Sequence, residues 1–522
     1  NLGRLTGTTT SYSFLSGRTL TTGYGYDAAS NRTSFTDPEG GVSSYGYDSD
    51  NRLTSLASAT SGSFSFSYDG LSRRTSITRP DGISANYTYD SLSRLLSVLD
   101  QTRKATLDGA AYTYDPAGNR LSRQDYRTGT MSNFAYDAIY QLLQVTQAGQ
   151  PTETYSYDDV GNRLSSLGVS PYSYDSSNQL NSQPGVTYSY DSNGNLLSKT
   201  DSNGTTSYTW DAENRLSSVT LPGSGGTVTY QYEPFGRRIE KVSPSGTTIY
   251  AYDGDNVVEE LDGGGMAVAR YAQGLGIDEP LAMYRGGASY YYNADGLGSI
   301  TSLTNASGQI AASYTYDSFG KLTASTGTVT NPFRYTGREY GTDTGLYYYR
   351  ARYYDASVGR FISEDPIGFS GGGTNFYAYV SNDPVLFIDQ TGNAPDGPCL
   401  DIDKFLKWVD GHAAGASQHH CAKAVRLGME AGGLDTAGHP GLAKDYGPFL
   451  QKLGFLPVSP ENYSSQKGDV IVFQPGPSPA GHVEVWDGAT WVSDFMQHPN
   501  RISPYSGDTT PYRIYRFPNP CP

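Results

Sequence analysis

A tyrosine-rich phrase, aromatic–x–Tyr–Asp followed by a short turn, recurs through the first three quarters of this 522-residue chain at a spacing close to 21 residues. It reads Tyr24-Gly25-Tyr26-Asp27 with Asn31-Arg32, and Tyr45-Gly46-Tyr47-Asp48 with Asn51-Arg52. Further copies centre on Asp69, Asp90, Asp115, Asp137, Asp158, Asp175, Asp191, Asp211, Asp253 and Asp317. The Tyr–x–Tyr alternation sets both rings on one strand face. Asp followed by Gly, Asn or Ser is turn chemistry, since Asp bonds its own backbone and Gly or Asn tolerates positive φ. A hairpin of this kind cannot bury its face alone, so the units must stack on one another. The fold class that follows is mostly β.

Composition agrees: 45 Tyr against 18 Phe, with 62 Gly, is a turn-rich β composition. The length calls for two or more domains. Lacking an apolar run near eighteen residues, the chain has no membrane-spanning helix to expect. It starts at Asn1 without methionine or a basic-then-apolar leader, so it reads as a fragment or a processed product. Of the net charge of −15, the part from Asn393 onward, with 13 acidic and 10 basic residues, carries −3; the front carries −12. Neither part has the basic stripe of a nucleic-acid binder, so no nucleic-acid partner is expected.

The histidines and cysteines lie only in the last quarter, from Cys399 to Cys521. Imidazole and thiol are the groups most useful near neutral pH, so the front reads as architecture and the back as chemistry. Cys399 and Cys521 sit at the two ends of the back segment, as a stapling bridge or as two unrelated thiols. Cys421 is the odd one, on a helix.

The repeats resemble YD repeats. The stretch RYTGREYGTDTGLYYYRARYYDASVGRFISEDPIGFSGGGTNFYAYVSNDPVLFIDQTG, residues 334–392, is similar to the core-associated block that ends the repeat region of rearrangement-hotspot (Rhs) polymorphic toxins. The resemblance implies a β-sheet shell over residues 1–333, closed by the block at 334–392. It also implies self-cleavage at the end of the block by two aspartates in paired Asp-Pro-x-Gly motifs. Asp365-Pro366-Ile367-Gly368 fits in full, whereas Asp389-Gln390-Thr391-Gly392 lacks the proline. Two adjoining carboxylates share one proton, so one serves as base and the other as acid. Cleavage is expected near Gly392–Asn393. A cognate immunity protein and a secretion-system delivery module are further implied.

After a breaker-rich linker at 393–400, a domain at 401–522 has helical spacing over 401–414, from about Ser417, and over Leu442 to Leu453. Strand patterns follow at 469–473, 481–486, 491–495 and 512–517. Cys421 falls in the first turn of the second helix, where backbone N–H groups and the helix dipole favour negative charge. Helices carrying the cysteine ahead of a sheet carrying the histidine is the layout of a small α+β, papain-like fold. HHCAKAVRLGMEAGG, KGDVIVF and GHVEVWDGATWVSDFMQ resemble CHAP-type amidohydrolase/peptidases.

That resemblance makes Cys421 the nucleophile and His482 the general base. Asp494, on the strand after the Asp487-Gly488 turn, is expected to orient the imidazole, with Glu484 and Asp487 as competitors. Gln418 is a candidate second oxyanion donor beside the Cys421 N–H. His419 and His420 lack a paired-ligand spacing, so no metal and no cofactor are expected.

The function implied is an antibacterial toxin that hydrolyses peptidoglycan amide bonds through a thioester, delivered to the target cell's periplasm. Two rivals stand beside it. One is a cysteine protease, deamidase or acyltransferase toxin acting on a host protein; the other is a non-enzymatic repeat surface that binds cells.

Overall fold

The computed structural model describes residues 3–371, 374–393, 402–413, 421–431, 434, 440, 442–453, 455–458, 465–474, 482–494 and 511–516. The chain divides into two compact units. One comprises Asn1–Asp90, Arg94–Pro366 and Asn375–Asn393; the other comprises Ser91–Ser93, Ile367–Thr374 and Ala394–Pro522.

The first unit is mostly β, as the repeat demands. A 15-stranded antiparallel meander runs from Gly7–Thr10 to Arg163–Ser166, and a 16-stranded one from Ser173–Tyr174 to Leu322–Thr326. Each phrase builds its hairpin in the same way. Asp69 Oδ1 accepts from the N–H of Leu71 and of Arg73, at 2.9 and 3.0 Å, while Oδ2 takes the Arg73 Nε at 2.8 Å. Hydrogen bonds from Arg73 hold the Asp69 carboxyl below the ordinary carboxylate range. Arg73 then reaches the next unit, donating to Asp90 O at 3.1 Å and lying 4.8 Å over the ring of Tyr89. The tyrosine of the phrase points back: Tyr89 Oη donates to Arg74 O and Tyr68 Oη to Leu53 O, both at 2.9 Å. Where Asn replaces Arg, as at Asn162, the amide bonds Asp158 Oδ2 and reaches Asn178 Oδ1 at 2.8 Å. The sequence reading passed over copies at Glu233 and Asp295, whose turns close with the same bonds, Gly236 N to Glu233 O and Gly298 N to Asp295 O.

The two meanders meet through apolar contacts. Leu53, Leu56 and Phe64 of the first pack with Leu281, Ala282 and Tyr291 of the second. A third sheet of four short strands, Glu339–Gly341, Leu346–Tyr349, Arg352–Asp355 and Arg360–Phe361, belongs to the terminal block. Its period-2 alternation separates its rings onto two faces. Tyr347, Tyr349 and Tyr354 join Leu142, Val145 and Tyr155 of the first meander. Tyr348 and Tyr353 join Leu196, Tyr208 and Tyr230 of the second. The block is thus a tyrosine wedge bonded to both meanders, and each buried phenol finds an acceptor: Tyr354 Oη donates to Phe319 O at 2.7 Å.

The second unit is α+β. Helices α1 (Ile402–His412), α2 (Cys421–Ala431) and α3 (Tyr446–Lys452) accompany strands β1 (Leu456–Val458), β2 (Val470–Phe473), β3 (His482–Trp486), β4 (Trp491–Val492) and β5 (Tyr512–Arg516). The antiparallel sheet has the order β1-β5-β2-β3-β4. Phe405, Val409, Val425 and Met429 of α1 and α2 pack with Val470, Val472, Val483 and Val485. Gly428 allows the close approach of α1, since a Cβ there would lie 2.4 Å from Val409 Cγ2. Arg516 grips the fully buried Asp469 through both carboxylate oxygens, at 2.7 and 2.8 Å, tying β5 to the start of β2. The third helix is shorter than its pattern predicts, because residues Ala443–Asp445 form a 3-10 turn ahead of it. Strand pairing past Trp491 ends at Val492, so Asp494 lies beyond the strand that was expected to carry it.

Tyr354→Ala removes a fully buried ring and its hydroxyl bond, and should destabilise the first unit by about 3–5 kcal/mol in chemical denaturation. Asp69→Ala, at a solvent-facing turn, should cost less. Equal midpoints for Tyr354→Ala and the wild type would refute the wedge.

Candidate functional site

Two groups of reactive side chains stand out, one in each unit. In the first, Asp365 and Asp389 are brought to a single guanidinium. Arg352 Nη2 lies 3.1 Å from Asp365 Oδ2 and 3.3 Å from Asp389 Oδ2. All three side chains are buried. Arg352 is held on its strand by a 2.9 Å bond from Nη1 to Phe376 O and by stacking 3.6 Å over the Phe361 ring. Its Nε donates to Gly392 O. Burial pushes the Arg352 guanidinium below its ordinary value, against the pull of Asp389 and Asp365.

Asp389 also closes the chain end: its Oδ1 accepts from Gly392 N at 2.7 Å and Asn393 N at 3.2 Å. Gly392 has φ +76°, and a Cβ there would lie 2.1 Å from Tyr349 O, so only glycine fits. Gln390, standing where the motif has proline, donates from Nε2 to Ile277 O at 3.3 Å, and Arg350 bonds its carbonyl. Side-chain and backbone anchors therefore hold the turn without the proline ring. The motif pointed to both aspartates but not to Arg352, which stands in neither Asp-Pro-x-Gly copy.

In the second unit, Cys421 opens α2 and is partly buried. His482 opens β3, only 7% exposed, and hydrogen bonding joins it to the Cys421 thiol. Glu484, two residues along the same strand and so on the same side of it, sets Oε2 3.6 Å from His482 Nε2, an ion-pair separation. Burial works against the imidazolium, but the Cys421 thiol and the Glu484 carboxylate outweigh it and lift His482 to about 10. Glu484 is itself raised above the usual carboxylate range by burial, with His482 pulling it down.

Glu484, which the sequence reading held as a competitor to Asp494, is thus an ion-pair neighbour of His482 Nε2. Asp494 is buried and accepts from its neighbour Ser493 at 3.2 Å. The pairing Val485↔Val492 and Trp486↔Trp491 ends before Asp494. Asp487 accepts from Ala489 N and Thr490 N, both at 2.6 Å, and is the turn residue. Gln418, His419, His420, Ser417, Cys399 and Cys521 lie outside the described residues. Among the described residues, no group of three or more His, Cys, Asp or Glu is arranged to hold a metal, and no helix is long and apolar enough to cross a membrane.

The Teneurin YD-shell family matches residues 125–385, and the RHS Repeat family matches 26–63 and 47–84. The tRNA3(Ser)-specific nuclease WapA of Bacillus spizizenii is 32% identical over 293 residues, 54% of this chain and 11% of WapA. Double-stranded DNA deaminase toxin A of Burkholderia cenocepacia is 29% identical over 58% of this chain and 22% of its own length. The chain therefore spans about a tenth to a fifth of these curated relatives. The Tc holotoxin pore of Photorhabdus luminescens has the same fold over 72% of this chain and 21% of its own, with TM-score 0.62 and 21% identity. The type VI effector–immunity complex Tae3–Tai3 of Ralstonia pickettii matches 22% of this chain and 98% of its own at 32% identity, with TM-score 0.21.

These findings support a YD-repeat, toxin-like protein. They also correct two expectations. The named curated relatives are a tRNA nuclease and a double-stranded DNA deaminase, which overturns the assignment of the enzyme as a peptidoglycan cysteine amidohydrolase or endopeptidase. The same relatives overturn the partner reading, a peptidoglycan substrate with no nucleic acid. That exclusion rested on the net charge of −3 from Asn393 onward and the lack of a basic stripe, which bear on a groove that tracks a phosphate backbone and not on a small site.

Because His482 is raised from 6.5 to about 10, its imidazolium stabilises the second unit fully below pH 6.5, and this contribution is lost as pH rises toward 10. In an imidazole NMR titration, Glu484→Gln should move the His482 midpoint down, and further than Asp494→Asn does. A larger shift from Asp494→Asn would reinstate Asp494 as the partner.

Proposed function

We propose, from the premise that this chain belongs to the Teneurin YD-shell family, that it is a delivered toxin whose second unit acts through a thiol nucleophile. The observation that carries the reading is the Cys421–His482 pair at the head of a helix and a strand, backed by the buried Glu484. In this reading a Cys421–His482 ion pair is the reactive form: Sγ bonds an acyl carbon, and the His482 imidazolium gives its proton to the leaving group. Glu484 holds the imidazolium that forms, the role of the third member of a triad. Helix, cysteine, strand and histidine in this order support a papain-like arrangement.

A second reading is favoured by the cluster at Gly392. Asp365 and Asp389, held by Arg352 against the last described peptide of the first unit, support self-cleavage near Gly392–Asn393. The first unit is then the carrier, and the cut releases residues 393–522 from its chain.

Expression in bacterial cells tests the thiol reading, comparing the full chain with Cys421→Ala and His482→Ala. Each is expressed with and without an export leader, which distinguishes action in the periplasm from action in the cytoplasm. The wild type should arrest growth in one of the two compartments, and both variants should lose at least about a hundredfold of that toxicity. Recovered tRNA, DNA, protein and cell-wall fractions then identify the substrate. Undiminished toxicity of the folded Cys421→Ala protein would end the proposal.

A further inference from the structure

We infer that Asp278 is a positioning residue of the self-cleavage, acting with Gln390 in place of the proline that the second motif lacks; this rests on the reading of Asp365 and Asp389 given above. In Asp365-Pro366-Ile367-Gly368 the ring fixes φ of the residue after the aspartate. In Asp389-Gln390-Thr391-Gly392 the covalent chain supplies no such restraint, and the peptide to be cut begins two residues further on. A turn free to shift there would carry the Gly392 carbonyl away from the carboxylates. The restraint has to come from outside the turn.

It comes from a loop of the second meander. The Asp278 carboxylate accepts from both ends of the Arg350 guanidinium, Oδ2 from Nη1 at 2.9 Å and Oδ1 from Nη2 at 2.7 Å. The same Nη1 donates onward to the carbonyl oxygen of Gln390. From its side chain, Gln390 Nε2 donates to the carbonyl of Ile277, the residue before Asp278, at 3.3 Å. Gln390 is thus gripped at two points by two neighbouring residues, by Ile277 directly and by Asp278 through Arg350.

The loop is ordered independently of the turn it holds. The Asp278 N–H donates to Asn256 Oδ1 at 3.1 Å, and Asn256 Nδ2 donates to Gly276 O at 3.1 Å. Asp278 takes the left-handed conformation, with φ +62°. Its carbonyl sits where Gly337 leaves room, since a Cβ on Gly337 would lie 2.6 Å from Asp278 O. Arg338 forms a second ion pair with the same carboxylate, whose side chain is only 4% exposed. Bidentate pairs of this kind fix geometry as well as adding energy. Among the described residues, Arg350 bonds Asp278, Asp255 O and Gln390 O and neither aspartate of the cut, so the clamp acts on placement alone.

Placement is what the reaction needs. The cut consumes one water: its oxygen bonds to the Gly392 carbonyl carbon as one carboxylate of the pair takes a proton from it. The bond to Asn393 N then breaks as the other carboxyl gives that nitrogen a proton, leaving a Gly392 carboxylate and an Asn393 amine. A displacement of about 1 Å between reacting groups costs on the order of 10²-fold in rate.

The test uses the full chain made by cell-free synthesis and stopped at timed intervals, with the fragment beginning at Asn393 followed by mass spectrometry. D278N removes the charge that orders Arg350 and should cut about 10–10²-fold more slowly. Q390P should cut at the wild-type rate, because the ring supplies the restraint that the clamp supplied. The double variant D278N/Q390P should recover to within about threefold of the wild-type rate, although its denaturation midpoint stays below that of Q390P. A merely structural role for Asp278 would leave the double variant as slow as D278N, and that result would overturn the inference. So would wild-type cutting by folded D278N, or slow cutting by folded Q390P. Should D278N fail to fold by near-ultraviolet circular dichroism, R350Q, which loses the bond to Gln390 O, replaces it in both variants and is read by the same outcomes. D365A separates the two levels. If it cuts at the wild-type rate the self-cleavage reading itself fails; if it stays uncut while D278N cuts at the wild-type rate, only the role of Asp278 fails.

Discussion

A tyrosine set on a sheet gains by finding a partner for its hydroxyl, and for the tyrosine just ahead of the Asp turn in these repeats the partner is a backbone carbonyl of the preceding hairpin. Tyr68 to Leu53 O, Tyr89 to Arg74 O and Tyr157 to Leu142 O repeat one bond down the first meander. An unmet phenol in such a place would cost about 1–3 kcal/mol, so the bond sets the stagger of each hairpin on the last. Where an arginine follows the Asp turn, as at Arg73 and Arg94, it reaches forward and reinforces the tie from the opposite direction. Neither tie is strong alone; repeated, they join consecutive hairpins into continuous sheets.

The terminal block depends on those sheets. Its four short strands carry rings on both faces, and both faces are buried only because a meander lies against each. Arg352 stands on one of these strands, two residues before Tyr354. The position of the Asp365–Asp389 pair is thus set by the same packing that closes the wedge. A reactive cluster on a buried strand keeps its geometry better than one on a loop.

Much of this was legible in the residues. The Tyr–x–Tyr–Asp phrase specified hairpins because its period of two and its turn chemistry agree, and both aspartates of the terminal block were found from their motif. Arg352 was not, because a guanidinium that bonds Gly392 from 40 residues away leaves no local signature. In the second unit the sequence placed Cys421 on a helix and His482 on a strand, as the structure has them, but the strand expected from Trp491 to Phe495 stops at Val492. Glu484, two residues along from His482, was legible as its neighbour from the same-side rule for a strand. The partner and substrate expectations failed for a different reason: the net charge of a part and the lack of a basic stripe were asked to decide the partner of one site, and a motif resemblance its substrate.

The central claim is that one chain holds two chemistries, a cut at the end of the carrier and a reactive thiol behind it. Mass spectrometric mapping of the purified wild-type chain, treated briefly with limiting iodoacetamide, addresses both together. The account predicts a fragment beginning at Asn393 that carries its label on Cys421 ahead of Cys399 and Cys521. An uncut 522-residue chain labelled equally at all three cysteines would contradict it.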